Sequence, residues 1–79
     1  MNKSEKEMAK IIGNNILEAR TGKVWKCVTQ RDISKYVGIS PTGYFNIETG
    51  KSIPKVTTLL KIAKYLNVKM EDLLKGIEV

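Results

Sequence analysis

Apolar residues recur along much of the chain at intervals of three or four positions, the spacing of one face of an α-helix. One such stripe predicts a helix from Glu5 to about Arg20 and consists of Met8, Ile12, Ile16 and Ala19. A second stripe predicts a helix in the C-terminal half and consists of Leu59, Ile62, Ala63 and Leu66. The period-two alternation of a half-buried strand occurs nowhere. The pattern therefore predicts an all-α fold.

Residues that favour helix ends set the limits of these helices. Ser4 is a candidate N-cap for the first helix, because Glu7 three residues later completes a capping box. Gly22 ends that helix, Asn67 breaks the fourth, and Met70–Leu74 predicts a short fifth helix.

Two short helices in the centre of the chain are joined by a turn of three residues. Thr29 is the candidate cap of a helix over Gln30–Val37, which Gly38 ends because glycine adopts the left-handed conformation without a Cβ penalty. Ser40 caps the next helix, and Pro41 takes its first turn, where no backbone N–H is needed. This arrangement is typical of a helix-turn-helix, in which the second helix enters the DNA major groove; a plain helical hairpin is the alternative.

Length and composition limit the remaining possibilities. The 79 residues support one domain, with a short N-terminal extension at 1–4 and a tail at 75–79. No run approaches the roughly 20 apolar residues of a membrane span, and the first residues lack the apolar stretch of a secretory signal. A single cysteine, Cys27, excludes an intramolecular disulfide, which fits a reducing cytoplasm. We therefore expect a cytoplasmic protein.

The charge balance favours a polyanionic partner. The net charge is +6 and the pI is about 9.6, and basic domains bind nucleic acid by releasing counterions from phosphates. Charge alone leaves an ordinary basic protein equally open. An enzyme is not expected, because the chain has no histidine, no glycine-rich phosphate loop, and no nucleophile–base pair or metal-ligand cluster around Cys27. We expect no cofactor, metal or small-molecule substrate.

Three segments carry a family resemblance. They are TQRDISKYVGIS at 29–40, IETGK at 47–51 followed by Pro54, and TLLKIAKYLNV at 58–68 followed by EDLL at 71–74. These segments resemble the lambdoid phage Cro/repressor-type helix-turn-helix, the XRE-like transcriptional regulators, over about residues 12–74. The resemblance implies a five-helix bundle of the lambda-repressor-like type that binds a pseudo-palindromic DNA operator, usually as a homodimer. It makes a transcriptional repressor the expected function.

The resemblance also implies which side chains contact DNA bases. Thr42, Phe45 and Asn46 occupy the base-reading positions of the second paired helix, with Pro41 at its mouth. Asn46 can pair bidentately with adenine, and Phe45 can lie against a thymine methyl. For Phe45, packing beside the preceding helix or at a protein interface remains an open alternative.

Sugar-phosphate contacts are implied on either side of that helix. The positions concerned are Gln30, Thr49, Lys51, Ser52 and Lys55. Gln30 begins a helix, where free N–H groups favour an anion. The alternative for each of these residues is an ordinary solvated side chain.

Arg20 and Glu48 are expected to have a structural role. An exposed carboxylate on a DNA-binding helix would repel phosphate, and in the resembling family the matching glutamate turns inward. In that family the glutamate pairs with an arginine at the end of the first helix, and Arg20 matches the position of that arginine. The resemblance therefore implies a structural ion pair between the two residues.

Three features depart from the family pattern. The segment between Arg20 and Gln30 is longer than usual and contains Trp25, which we expect to cover an edge of the core or, alternatively, to touch a partner or flanking DNA. Gly43 lies inside the second paired helix at a cost of about 1 kcal/mol relative to alanine, and we expect it either to permit close backbone approach to DNA or to avoid a clash. Pro41 stands where polar base-contacting residues are common, so the base code of the family does not transfer.

Apolar residues outside the main stripes suggest self-association. Leu60 lies beside the stripe of the fourth helix, and Leu74, Ile77 and Val79 form an apolar tail. We expect Leu60, Leu74 and Ile77 to form a self-complementary dimer interface, with ordinary partial exposure as the alternative. The competing function is a protein-interaction module, such as an antitoxin or adaptor, built on the same fold.

Overall fold

The structure is a computed structural model that describes residues 3–22 and 28–77. Within these ranges it is all-helical, and the predicted five-helix fold is confirmed. The helices are α1 (Lys3–Thr21), α2 (Gln30–Val37), α3 (Pro41–Glu48), α4 (Val56–Leu66) and α5 (Met70–Leu73). None of the described helices is both long and apolar enough to cross a membrane.

The start of α1 differs from the prediction. The helix begins at Lys3, so Ser4 lies inside its first turn and is not the N-cap. Residues 3 and 4, which were expected to belong to an extension, therefore lie in the helix. Charged residues with good helix propensity surround Ser4, and a capping signal defines a helix boundary only to within one or two residues.

The capping residues of α2 and α3 behave as predicted. The Thr29 hydroxyl oxygen accepts a hydrogen bond from a backbone N–H in the first turn of α2 at 3.0 Å. Gly38 has a φ of 88°, and its N–H bonds back to the Ser34 carbonyl at 2.9 Å. The Ser40 hydroxyl accepts from the Gly43 N–H at 3.0 Å, which starts α3. Local side-chain chemistry therefore fixes the sharp turn between the two helices.

The C-terminal helices also follow their boundary signals. Asn67 ends α4 in the left-handed conformation, with a φ of 57°. The short α5 ends at Leu73, one residue before the predicted end. Its start is stabilised by the Asp72 carboxylate, which accepts a hydrogen bond from the Lys69 N–H at 3.0 Å.

One hydrophobic core joins all five helices. Its buried members are Ile12, Ile16, Val28, Ile33, Val37, Tyr44, Ile47, Leu59, Ile62, Ala63, Leu66 and Leu73. Both predicted stripes contribute to it, although Met8 and Ala19 at the two ends of the α1 stripe are only half-buried. The core holds α2 and α3 against α1 and α4, so the outer face of α3 is free of core packing.

Two glycines bring α1 unusually close to the end of α3. A Cβ atom added to Gly13 would lie 2.5 Å from the Ile47 carbonyl oxygen and 2.6 Å from that of Glu48. A Cβ atom on Gly50 would lie 2.9 Å from the Cα of Lys10. Side chains at either position would push the backbones apart, so α1 sets the position of the C-terminal end of α3.

Candidate nucleic-acid interface

The paired helices α2 and α3 pack through their inner faces. Ile33 and Val37 of α2 are buried, as are Tyr44 and Ile47 of α3, and Ile39 in the turn packs against the same core. Neither helix is long enough to be stable alone, so both depend on the burial of their inner faces. Because these faces pack against each other and the core, the angle between the two helices is fixed. The opposite face of α3 is thereby held outward on a rigid support.

The four residues predicted to contact bases share that outward face. Pro41 and Thr42 are exposed, Phe45 is 43% exposed, and Asn46 is half-buried. No hydrogen bond joins the side-chain amide of Asn46 to another described residue, so its donors and acceptor are available. Contact with bases remains a prediction.

Gly43 lies on α3 at the helix cap. A Cβ atom there would lie 3.1 Å from the Ser40 hydroxyl oxygen, which is the atom that caps the helix. The glycine therefore leaves room for the Ser40 hydroxyl that caps the helix. This agrees with the expectation that Gly43 avoids a clash.

The residues predicted to contact the backbone follow the end of α3. Thr49, Lys51 and Lys55 are exposed and Ser52 is half-buried. The Thr49 hydroxyl donates to the Phe45 carbonyl oxygen at 2.9 Å, which closes the last turn of α3. The Lys51 ammonium lies 5.9 Å from the centre of the Phe45 ring, at the outer limit of a cation–π contact. Basic side chains therefore border the outward face of α3 on its C-terminal side.

Arg20 and Glu48 form a bidentate ion pair between α1 and α3. Arg20 Nε donates to Glu48 Oε2 at 2.8 Å, and Arg20 Nη2 donates to Glu48 Oε1 at 2.9 Å. Their side chains are only 15% and 3% exposed. Arg20 Nη1 also donates to the Val28 carbonyl oxygen at 3.0 Å, just before α2. One guanidinium thus ties together α1, α3 and the entry to α2.

The pair also determines the electrostatics of Glu48 and Tyr44. Burial alone would raise the pKa of Glu48, but hydrogen bonds to the charged carboxylate, the strongest from Arg20, lower that pKa overall. Burial, and then the nearby Glu48 carboxylate, raises the pKa of Tyr44. The Tyr44 hydroxyl is buried near this carboxylate without a hydrogen bond of standard geometry. The carboxylate of Glu48 is therefore ionised and directed inward, away from an approaching phosphate.

Gln30 belongs to the same network. Its Nε2 donates to Glu48 Oε1 at 3.0 Å, and the residue is half-buried at the start of α2. The residue predicted to contact a phosphate is thus also bonded to the predicted ion pair. An amide nitrogen carries two N–H groups, so one remains for a phosphate.

The residues predicted to form a dimer interface have different environments. Leu60 is 49% exposed and Leu74 is 38% exposed. Ile77 is half-buried and packs against the core of its own chain, so less of its side chain is available to a partner than its place in an apolar tail suggested. Val79 and the loop residue Trp25 lie outside the described residues.

Several positioning residues were missed by the sequence analysis. Gly13 could have been noticed, because a glycine in the middle of an apolar helical stripe indicates close backbone approach. The Asn15 amide donates to the carbonyl oxygens of Leu73 and Lys75 at 2.9 and 2.8 Å, and so ties α1 to the end of α5. No sequence signal identifies that pairing, because the partners are backbone atoms far along the chain.

Comparison with solved structures gives the same fold. The solution structure of the SOS-response transcriptional repressor LexA from Eubacterium rectale aligns with a TM-score of 0.76 at 24% identity, over 92% of this chain and 77% of that chain. The restriction-modification controller protein C.AhdI from Aeromonas hydrophila aligns with a TM-score of 0.72 at 22% identity, over 82% of this chain and 94% of that chain. At these identities the likeness concerns the fold.

Comparison of sequences gives the family. A helix-turn-helix family profile matches residues 28–73. The SPbeta prophage-derived HTH-type transcriptional regulator YonR of Bacillus subtilis is 33% identical over 66 residues, which are 84% of this chain and only 58% of YonR. An HTH-type transcriptional regulator of Methanocaldococcus jannaschii is 41% identical over 46 residues, which are 58% of this chain and 70% of that protein. The chain therefore belongs to the XRE-type helix-turn-helix family.

Proposed function

We propose that this chain binds double-stranded operator DNA as a homodimer, with α3 in the major groove, and represses transcription by occupying the operator. The observation that carries the proposal is the outward face of α3. It presents Thr42, Phe45 and Asn46 from a helix whose other face is fixed in the core. A rigid support for base-reading side chains is what direct readout requires. This role places the chain in the cytoplasm, together with the DNA that it binds.

The surroundings of α3 support the same function. Lys51 and Lys55 follow the helix, Gln30 begins α2 with a free N–H, and Glu48 is neutralised by Arg20. Positive charge and free N–H donors thus border the outward face of α3, while the Glu48 carboxylate points away from it. The net charge of +6 adds long-range attraction to DNA.

Electrophoretic mobility shift at several salt concentrations tests DNA binding. We expect the affinity to fall steeply with salt, because each phosphate contact releases about 0.9 counterion. Asn46→Ala should lower the affinity for the selected operator and relax one base position by about 1–3 kcal/mol. Asn14→Ala, an exposed asparagine on α1, is the matched control and should leave both unchanged. A folded protein that shows no salt-dependent binding would instead favour a protein-interaction module.

The backbone contacts require a different measurement. Gln30→Ala and Lys51→Ala should each weaken specific and non-specific binding alike, and Lys51→Ala, which removes a positive charge, should also reduce the salt slope by about one. Lys64→Ala, near the opposite end of α4 from Lys55, is the matched control and should leave the slope unchanged. Equal slopes for Lys51→Ala and Lys64→Ala would reject the Lys51 contact, and unchanged affinity of Gln30→Ala would reject the Gln30 contact.

We propose that the homodimer interface is formed by Leu60 and Leu74, with the exposed part of Ile77 at the edge of that interface. One recognition helix reads only a few base pairs, so two copies would be needed to read a pseudo-palindrome with half-sites about 34 Å apart. Sedimentation equilibrium with a palindromic operator should give a dimer for the wild type and a weaker one for Leu74→Lys. Leu17→Lys, on a leucine that is 36% exposed on α1, should have no effect. A wild type that binds one half-site as a monomer with full affinity would reject the dimer.

A further inference from the structure

We infer that the recognition face reads A·T base pairs, with Asn46 hydrogen-bonded to the major-groove edge of an adenine and Phe45 packed against the methyl of a thymine. This inference rests on the proposed function, since it names the class of base pair that the same surface selects. It follows from which chemical groups α3 presents and which groups it lacks.

The first step concerns the chemistry that α3 lacks. In the major groove, guanine presents two acceptors, and arginine or lysine is the usual reader of that pair. All of α3 is described, and the segment PTGYFNIE contains neither residue. Its one acidic residue, Glu48, which could accept from cytosine, has both carboxylate oxygens bonded to Arg20. The helix therefore lacks the usual readers of a G·C pair.

The second step concerns Asn46. Adenine presents one acceptor and one donor side by side, and an amide side chain offers the complementary pair. The Asn46 amide has no hydrogen bond to a described residue, while the Asn46 backbone carbonyl accepts from the Lys51 N–H at 2.8 Å. Asn46 is thus available to pair with adenine.

The third step concerns Phe45. Its ring has no hydrogen-bonding group, so in the groove it can favour only an apolar feature, and the thymine methyl is the apolar group of the major groove. The ring is 43% exposed beside Asn46 in the sequence, so the two residues would reach the same or adjacent base pairs. The Lys51 ammonium lies 5.9 Å from the centre of this ring. The face therefore combines an adenine reader with a thymine reader.

The experiment begins with selection of binding sites from a random double-stranded DNA library. The selected half-site should contain adjacent A·T pairs at the positions nearest α3. The duplex is then resynthesised with single changes that keep base pairing. Deoxyuridine in place of one thymine removes the methyl, and 7-deazaadenine in place of one adenine removes the N7 acceptor.

Each base change is tested on the wild type and on the variant that lacks the matching side chain, whose affinity should not respond to that change. For the wild type, deoxyuridine should weaken binding about fourfold at one position, the transfer free energy of one buried carbon group. The 7-deazaadenine change should weaken it about 5- to 150-fold. Phe45→Ala should abolish only the first sensitivity and Asn46→Ala only the second. Thermal melting of both variants checks that these exposed or half-buried substitutions leave the fold intact.

The outcomes separate the inference from the function on which it rests. A selected site dominated by G·C pairs, or wild-type binding that is indifferent to both base changes, would overturn the inference while DNA binding stands. A guanine preference that disappears in Lys51→Ala would also overturn it and assign the reading to Lys51. If no sequence is selected and no salt-dependent binding is seen, both the inference and the proposed DNA-binding function are rejected.

Discussion

Replacing Gly13 by alanine tests whether the close packing of α1 against α3 sets the position of the recognition helix. Gly13 lies in the middle of α1, where alanine would favour the helix by about 1 kcal/mol if nothing else changed. The added Cβ would, however, meet the Ile47 carbonyl oxygen at 2.5 Å and the Glu48 carbonyl oxygen at 2.6 Å. Both contacts are to backbone atoms, which cannot rotate away as a side chain can.

The expected magnitude follows from these distances. An ordinary contact begins at 3.4 Å, so α1 and α3 must separate by about 0.9 Å. Overpacking of a core costs about 1–3 kcal/mol, and the rigid backbone neighbours place this case near the upper value. After the gain in helix propensity, we expect a net loss of about 2 kcal/mol in the free energy of unfolding. For a domain of this size that lowers Tm by roughly 8–16 °C.

Thermal melting and a DNA-binding titration below the lowered Tm check the prediction together. The affinity for the selected operator should also fall, because the shift moves Asn46 from its optimum hydrogen-bonding position. Asn14→Ala on the exposed side of the same helix is the control for helix propensity and should raise Tm slightly, because alanine is the better helix former. A Gly13→Ala protein with unchanged or higher Tm and full DNA affinity would refute the reasoning.

Three further predictions concern the polar contacts between helices. Arg20→Ala and Glu48→Ala should each cost about 3–5 kcal/mol, because each leaves a buried charge unpaired; a double-mutant cycle should give a coupling of about 0.5–3 kcal/mol, and additive losses would contradict the pairing. The pKa of Glu48 is lowered in the folded chain, so its stabilisation is present above the unfolded pKa of about 4.3 and lost as pH falls through the folded value. Denaturant unfolding should therefore show the deficit of Glu48→Gln shrinking in acid, and a constant deficit would rule this out. Asn15→Ala should lower stability by about 2 kcal/mol through loss of two hydrogen bonds to the end of α5, whereas Asn14→Ala should not; equal effects would argue against that tie.

Part of the candidate surface was predictable from the sequence, and part was not. The outward placement of Thr42 and Phe45 follows from helical periodicity once Tyr44 and Ile47 are assigned to the core. The bond from Gln30 to Glu48 does not follow from periodicity, because it depends on the angle between α2 and α3. The partial burial of Ile77 likewise depends on the path of the chain after α5.

The sequence by itself determined the helices and the turn between α2 and α3, because those depend on local physics. Apolar spacing sets the buried face of each helix, while Thr29, Gly38 and Ser40 satisfy or release backbone groups within a few residues of themselves. Only the tertiary structure decided how closely α1 approaches α3 at Gly13 and which carbonyls Asn15 binds. These contacts join atoms far apart in the sequence, and their distances are fixed when the whole core packs at once. A glycine at position 13 can indicate a close approach, but neither its partner nor its distance is encoded locally.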